Sequence, residues 1–258
     1  QLDVLQSLAQ SRRVQDRLIQ ANRSYGSDPS DISARLRELE NEWQAATSDE
    51  DFVIRVRLQN ALSSELEAFQ SSFPDHTEVL VTDQHGGLLV ATHRVSNFSH
   101  ADKSWWQAAY NNGQGAPYIS LPAIAEGNEA LSLIIALPIV DRSDGSVVGI
   151  LRSRYRMAPL LNLIGSGNVA AQNIHSDILF PYGQLLSPDH VEPDALSPDL
   201  VDRLREASNP PYAELLFENE LSLVSLAPVA AITGEPEIVG LGWKLIAHQE
   251  QHEALAPV

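Results

Sequence analysis

Thirteen residues near the middle of the chain combine aromatic rings with one lysine: Phe98, Lys103, Trp105, Trp106 and Tyr110 lie within this stretch. An indole N–H can donate a hydrogen bond to a carboxylate, and an ammonium group adds a charge-assisted hydrogen bond. Aromatic walls exclude water and strengthen both interactions. We therefore expect a pocket for a small organic anion, with Phe98, Lys103, Trp105 and Trp106 as ligand-binding candidates. The alternative is that a tryptophan only fills the core.

Three arginines alternate with other residues near the end of a predicted strand. A regular strand places Arg152, Arg154 and Arg156 on one face. Two interpretations remain open: Arg152 and Arg154 contact the ligand, or the arginines form a solvated outer face because unpaired arginine is rarely buried. In the second case Ser153 and Tyr155 would face the pocket. Further polar candidates for ligand contact are Tyr118, Ser120 and Ser132.

The sequence offers no catalytic, metal-binding or cofactor-binding pattern. It contains no cysteine, which excludes thiolate catalysis and cysteine-ligated metals. His248 and His252 are spaced i, i+4, which would place both on one face of a helix, but the His-Glu-x-x-His order of zinc enzymes is missing. No Gly-x-Ser-x-Gly elbow or phosphate-binding glycine loop is present. We predict that the chain is not an enzyme and has no cofactor.

The composition excludes further classes of function. The 258 residues include 43% hydrophobic side chains, which is typical of a folded globular chain. Seventeen basic residues against 34 acidic ones give a formal charge of -17, which repels nucleic acid and anionic lipid. The apolar stretch 130–140 is interrupted by Ser132 and Pro138 and is much shorter than the roughly 20 residues that cross a bilayer. A chain that starts at Gln1 without a leader is expected to be part of a longer protein.

Residues 1–75 are predicted to be helical. Apolar residues recur at helical spacings in 1–20, and Ile32, Leu36, Leu39 and Trp43 share one face of the next segment. A third helix should run from about 49 to 72, before Pro74. We interpret this region as an N-terminal helical stalk that buries its own apolar stripe, with a binding surface as the alternative.

The pattern changes to short strands after Pro74. Two β-type runs flank the turn 83–87, a short helix follows near 105–112, and three more strands end near residue 157. The last two of these strands are joined by a turn with an Asp144-Gly145 pair, a common hairpin signal. A weaker copy of the same order follows in 158–258. This pattern predicts two small antiparallel α+β modules.

Several motifs in the first module occur in an order that resembles the double Cache family of extracytoplasmic sensor domains. They are VTDQHGG (81–87), SWWQAAY (104–110), GAPYIS (115–120), IALPIVD (135–141) and GSVVGIL (145–151). Each motif is weak alone, but their joint order and spacing make the resemblance specific. Residues 241–250 and 253–258 resemble the last strand and exit helix of such domains.

The resemblance implies an α+β fold with a long N-terminal helical stalk (1–75) and two PAS-like antiparallel-sheet modules in tandem. The membrane-distal Cache module would span 76–157, and the membrane-proximal module with the exit helix 158–258. Such domains lie on the periplasmic or extracellular side of the cytoplasmic membrane. The resemblance further implies flanking transmembrane helices, a homodimer formed through the N-terminal helix, and a cytoplasmic output domain: a histidine kinase, a chemotaxis signalling domain or a cyclic-dinucleotide enzyme.

Amino-acid-binding members of the family carry an aspartate on the last strand of the distal module, where it pairs with the ligand's ammonium group. This chain has Arg152 or Arg154 near that position. A cation there repels an ammonium group, so an organic acid without an amine becomes the better ligand. The alternative function is a structural or protein-interaction module whose distal pocket is filled by its own side chains.

Overall fold

The computed structural model describes residues 1–124, 130–166, 174–190, 192–206, 212–217, 220–229 and 240–255. Contacts divide the chain into two units. The first unit comprises Gln1–Ser120 and Leu133–Arg156, and the second comprises Leu121–Ser132 and Met157–Val258. Two antiparallel sheets and a helical N-terminal region confirm the predicted α+β class.

Five helices precede the first strand, where three were predicted. They are α1 (Leu2–Ala9), α2 (Arg12–Ser24), α3 (Pro29–Ala45), α4 (Phe52–Leu58) and α5 (Ala61–Ser72). The third predicted helix is divided because the Asn60 side chain accepts hydrogen bonds from the backbone of Leu62 and Ser63, and the Ser63 hydroxyl accepts one from the backbone of Asn60. This reciprocal cap starts a new helix inside a continuous apolar pattern.

The first sheet has the predicted strand–strand–helix–strand order, with one extra short strand. Its elements are β1 (His76–Asp83), β2 (Leu88–Ala91), α6 (Ser104–Tyr110), β3 (Tyr118–Ile119), β4 (Ala123–Ile124), β5 (Leu131–Val140) and β6 (Val147–Arg156). The strand order is β2-β1-β6-β5-β3, and β4 pairs with β5. The β1–β2 turn forms because Asp83 Oδ1 accepts hydrogen bonds from the backbone of His85 and Gly87 at 2.8 and 3.0 Å.

The N-terminal helices belong to the same unit as the first sheet. Leu5, Val14 and Leu18, members of the predicted apolar stripe, are buried. Helix α2 approaches β6 so closely that a Cβ atom on Gly149 would lie 2.8 Å from the methyl groups of Leu18. The helical stripe and the sheet are therefore joined in the core of the first unit.

The second unit repeats the pattern in a weaker form, as predicted. It contains α7 (Ala158–Ser166), β7 (His175–Leu179), β8 (Gln184–Leu186), β9 (Asp194–Ala195), α8 (Pro198–Glu206), β10 (Ala213–Phe217), β11 (Glu220–Pro228), β12 (Lys244–Glu250) and α9 (Gln251–Ala254). Its strand order is β10-β11-β12-β7-β8-β9. The predicted last strand began near 237, but 230–239 lie outside the described residues, as do 256–258 of the predicted exit helix.

Candidate ligand-binding site

Arg152 is buried in the first unit, so the interpretation of the arginine face as solvated is wrong for this residue. Only 6% of Arg152 is exposed. Strand β6 pairs with β1 so that Arg154 lies opposite Glu78, and Glu78 Oε1 is 2.8 Å from Arg152 Nη2 and 3.9 Å from Arg154 Nη2. His93 Nε2 lies 3.2 Å from the other oxygen of Glu78. A carboxylate on the neighbouring strand thus compensates the buried guanidinium.

The charges of this cluster shift one another's pKa values. Burial alone would raise the pKa of Glu78, but the hydrogen bond from His93 and the charges of Arg152 and Arg154 outweigh it and lower the pKa to about 2. Burial lowers the pKa of Arg152, and the neighbouring Glu78 opposes that effect. Glu78 is consequently ionised at neutral pH.

The Trp105 ring packs against both Arg152 and His100. The Arg152 guanidinium carbon lies 5.3 Å from the Trp105 ring centroid, a distance that allows cation–π attraction. The His100 ring packs at 5.5 Å on the same indole. Burial, and then the charge of Arg152, lower the pKa of His100 to about 4, so this imidazole is neutral near pH 7.

Two nitrogen atoms of this cluster lack hydrogen-bond partners. His100 Nε2 and Arg152 Nε are buried, and neither has a partner in the described part of the chain. Leaving a buried polar group unsatisfied costs about 1–3 kcal/mol, and native structures contain few such groups. The cluster therefore has hydrogen-bonding capacity that a small ligand could use.

The other two aromatic candidates have structural roles. Trp106 Nε1 donates a hydrogen bond to Thr82 Oγ1 at 3.0 Å, and its ring stacks on Tyr110 with centroids 4.7 Å apart. Phe98 is 1% exposed and packs in the core against Trp43 at 6.3 Å. Consecutive helical positions are about 100° apart, which explains why Trp105 and Trp106 contact different partners.

Lys103 lies just before α6, and its ammonium group is 3.2 Å from the carboxylate of Asp102, at a partly exposed position. The remaining polar candidates lie on or beside the strands of the first sheet. Ser120 exchanges two hydrogen bonds with the backbone of Ile134, and Tyr118 pairs with Ala136. Ser132 is buried, and its hydroxyl has no partner among the described residues, but contacts assign it to the second unit. Of the predicted residues, the structure thus brings together Trp105, Arg152 and Arg154.

Both faces of β6 are covered. Ser153, proposed to face the pocket if the arginines were solvated, is fully buried, and its hydroxyl lies 2.7 Å from His76 Nδ1. The Tyr155 ring packs on the same histidine at 5.1 Å. Both side chains therefore lie against His76.

Sequence reasoning missed Glu78, His93 and His100. Glu78 could have been paired with the arginines only if the register of β1 against β6 were known, because the two strands are far apart in sequence. The histidine pair His248 and His252 was also misplaced: His248 lies in β12 and His252 in α9, so they do not share a helical face.

Solved structures of receptor domains resemble this chain over most of its length. The extracellular domain of the putative histidine kinase rpHK1S-Z16 has a TM-score of 0.57 at 13% identity and covers 98% of this chain and 94% of its own. The ligand-binding domain of the Campylobacter jejuni chemoreceptor Tlp3, in complex with 4-methylisoleucine, has a TM-score of 0.57 at 12% identity, with coverages of 95% and 90%. The ligand-binding domain of the Pseudomonas fluorescens chemoreceptor CtaA, in complex with L-leucine, has a TM-score of 0.53 at 14% identity, with coverages of 87% and 89%.

The chain has the fold of a double Cache sensor domain. Neither a protein-family model nor a curated protein matches the sequence. The double Cache fold confirms the resemblance carried by the motifs of the first module. Among the described residues, no helix combines the length and apolar character needed to cross a bilayer.

Proposed function

We propose that this chain is the extracytoplasmic sensor domain of a transmembrane receptor and that its first unit binds a small organic anion beside Arg152. The observation that carries the proposal is a buried guanidinium that lies over the Trp105 ring and whose Nε has no partner in the described ranges of the chain. The His100 ring packs on the same indole at 5.5 Å, and its Nε2 also lacks a partner among the described residues. A carboxylate can accept hydrogen bonds from both kinds of group.

The charge balance of the cluster favours an anion over a cation. Two arginines face one carboxylate, that of Glu78, so the cluster has a net positive charge within a chain of charge -17. At an effective dielectric near 20, a unit charge at 4 Å interacts by about 4 kcal/mol before desolvation is subtracted. This local positive charge attracts an organic acid and repels an unpaired ammonium group.

Amino acids are the main competing ligand class, since similar structures contain L-leucine, 4-methylisoleucine, GABA or L-Arg. An amino acid needs an acidic partner for its ammonium group. Among the described residues of the cluster the acid is Glu78, which already pairs with Arg152. We therefore keep the organic acid as the proposed ligand and test amino acids as a separate arm.

The proposed mechanism couples binding to a shift between two states of the domain. In the predicted arrangement, the distal module 76–157 binds the ligand, and the proximal module 158–258 leads to a transmembrane helix and a histidine kinase, chemotaxis or cyclic-dinucleotide output domain. A ligand can change this equilibrium only by binding one state more tightly than the other. Strand β6 and helix α6 are the elements that a ligand at Arg152 would displace.

A second candidate function is a protein-interaction or structural module without a small ligand. It is favoured by the observation that Glu78 itself neutralises Arg152, with Oε1 and Nη2 2.8 Å apart. In that case the side chains of the domain fill the site, and a partner protein would set the signal.

A ligand screen distinguishes these possibilities. Thermal shift and calorimetry would be measured with acetate, pyruvate, succinate, citrate and the proteinogenic amino acids. A ligand at 100 times its Kd should add about 2.7 kcal/mol to stability. We expect an organic acid to bind the parent chain and to lose at least tenfold in affinity with Arg152→Gln and Trp105→Phe.

The matched control is Arg156→Gln, because Arg156 lies on the same strand and is exposed. It should bind like the parent chain. If no acid binds, the interaction module becomes the better function. Binding that survives Arg152→Gln would place the ligand elsewhere, and binding of amino acids alone would reject the organic-acid class.

A further inference from the structure

The second unit contains a polar cavity of about 500 Å³ between β7, β11, β12 and the segment after β8. Its charged and titratable lining residues are Asp177, Asp189, Glu220, Glu250, Glu253, His175, His190 and His248. No lysine or arginine belongs to the lining in the part of the chain that the structure describes. The cavity is therefore lined by five carboxylates and three imidazoles.

Asp177 is the most deeply buried of these acids. It is 3% exposed, and its Oδ2 has no hydrogen-bond partner among the described residues. This oxygen lies 3.0 Å from His248 Nε2, without hydrogen-bond geometry. A buried carboxylate oxygen that faces a cavity without a hydrogen bond is costly. The carboxylate thus offers a bonding position directed at whatever occupies the cavity.

Aromatic rings and two serines complete the walls. The His248 ring packs on Phe217 with centroids 4.6 Å apart and stacks on His175 at 5.5 Å. Ser187 and Ser222, which also line the cavity, are 6% and 2% exposed. An aromatic ring beside carboxylates is the combination that suits an alkylammonium group, since the ring attracts the cation and contacts its methylene groups.

We propose that this cavity binds a small organic amine in its ammonium form, held by Asp177 against Phe217. This is a second site, in another unit and of opposite charge preference to the Arg152 cluster, and it stands whether or not the first site binds an acid. The cavity volume is in the range of small-molecule sites, about 300–1,000 Å³. Anions are excluded because five carboxylates would repel them.

A divalent metal ion is the alternative occupant. Among the described residues, Glu250, His252 and Glu253 have ligand atoms within 4.8 Å of one another. Asp177, His175 and His248 are not members of that group. A single ion at those three residues would leave Asp177 Oδ2 without a hydrogen bond among the described residues, so the organic amine explains more of the cavity.

The test is calorimetric titration of the 258-residue chain with 1,4-diaminobutane, butylamine and the uncharged analogue 1,4-butanediol. Both amines should bind and the diol should not. Asp177→Asn keeps the shape of the side chain and should weaken amine binding at least tenfold. Glu220→Gln, at an exposed cavity position, should weaken amine binding about threefold. It replaces Asp177→Asn as the test variant if Asp177→Asn does not fold.

Asp202→Asn is the matched control, since Asp202 is an exposed acid of the same unit that pairs with Arg205 outside the cavity. It should leave amine affinity within twofold of the parent chain, as should Arg152→Gln in the first unit. The proposal is overturned if neither amine binds, if binding is unchanged in both cavity variants, or if the diol binds equally well. It is also overturned if Mg²⁺, Ca²⁺ or Zn²⁺ binds in place of the amines.

Discussion

Arg152 and Glu78 illustrate how one residue on a neighbouring strand determines the role of another. The guanidinium is buried, and its ion pair with Glu78 is 2.8 Å long. Removing one partner of such a pair typically costs 3–5 kcal/mol because the other charge remains buried and uncompensated. The Arg152→Gln variant used to test ligand binding must therefore be checked for folding, whereas Trp105→Phe leaves the pair intact.

Two buried histidines should make the stability of the first unit depend on pH. Burial is the main cause that lowers the pKa of His76 and of His100 from 6.5 to about 4. Between these values the unfolded chain binds more protons than the folded chain, so stability falls as the pH falls from about 6.5 to about 4. We expect a loss on the order of 2 kcal/mol per histidine by pH 4.5.

Urea denaturation at pH 4.5, 5.5, 6.5 and 7.5 measures this dependence. His100→Gln should reduce the slope of unfolding free energy against pH, because one of the two groups no longer titrates. His252→Gln, which removes an exposed imidazole, is the control variant. An unaltered slope in His100→Gln would show that His100 does not contribute to the pH dependence.

Glu78 affects stability in a lower pH range. Its stabilisation is present above about pH 4.5 and is lost as the pH falls toward its pKa of about 2.

At the scale of elements, the contact between α2 and β6 depends on Gly149. A Cβ atom at this position would collide with the Thr82 carbonyl oxygen and lie 2.8 Å from the Leu18 methyl groups. Gly149→Ala should therefore destabilise the chain by roughly 1–3 kcal/mol or more, as overpacking does in cores.

The matched substitution is Gly165→Ala in α7, where the nearest atom to an added Cβ lies at an ordinary 3.4 Å. Alanine is the better helix former by up to about 1 kcal/mol, so Gly165→Ala should be neutral or stabilising. Thermal unfolding of both variants compares the two sites. Equal melting temperatures for Gly149→Ala and the parent chain would contradict the close packing of α2 on β6.

At the scale of the whole molecule, the predicted homodimer has to be reconciled with the buried helical stripe. Leu5 and Leu18 are fully buried within the first unit, so they are not free to form a helical seam with a second chain. We retain the dimer as a prediction, with the exposed faces of the N-terminal helices as its contact surface. Leu5→Ala should then cost about 2–5 kcal/mol of protomer stability without dissociating the dimer.

Light scattering coupled to size-exclusion chromatography, combined with urea denaturation, separates the two effects. Val4→Ala, next to Leu5 at a partly exposed position of α1, is the control and should change stability less. If the Leu5→Ala chain keeps the stability of the parent chain but has half its mass in solution, the buried stripe forms the dimer interface. A monomeric parent chain would remove the homodimer prediction for these 258 residues.

The sequence by itself determined the local pattern of this protein. Helical spacings before Pro74, β-type runs around Asp83–Gly87 and the Asp144-Gly145 turn predicted elements that the structure contains, because such signals act over a few residues. The order of motifs was enough to predict the double Cache fold, and the absence of cysteine and the charge of -17 excluded whole classes of function.

The tertiary structure alone decided which candidates share a site. Arg152 is buried beside Glu78 of the neighbouring strand, and Trp106 donates its hydrogen bond to Thr82. The first contact follows from the register of β6 against β1, and the second from the position of α6 on the sheet. The cavity of the second unit likewise joins Asp177 of β7 to His248 of β12. These residues are far apart in the chain, and sheet pairing brings their side chains together. The spacing of residues within one segment does not record which strands pair or in which register, so such contacts have no local sequence signal.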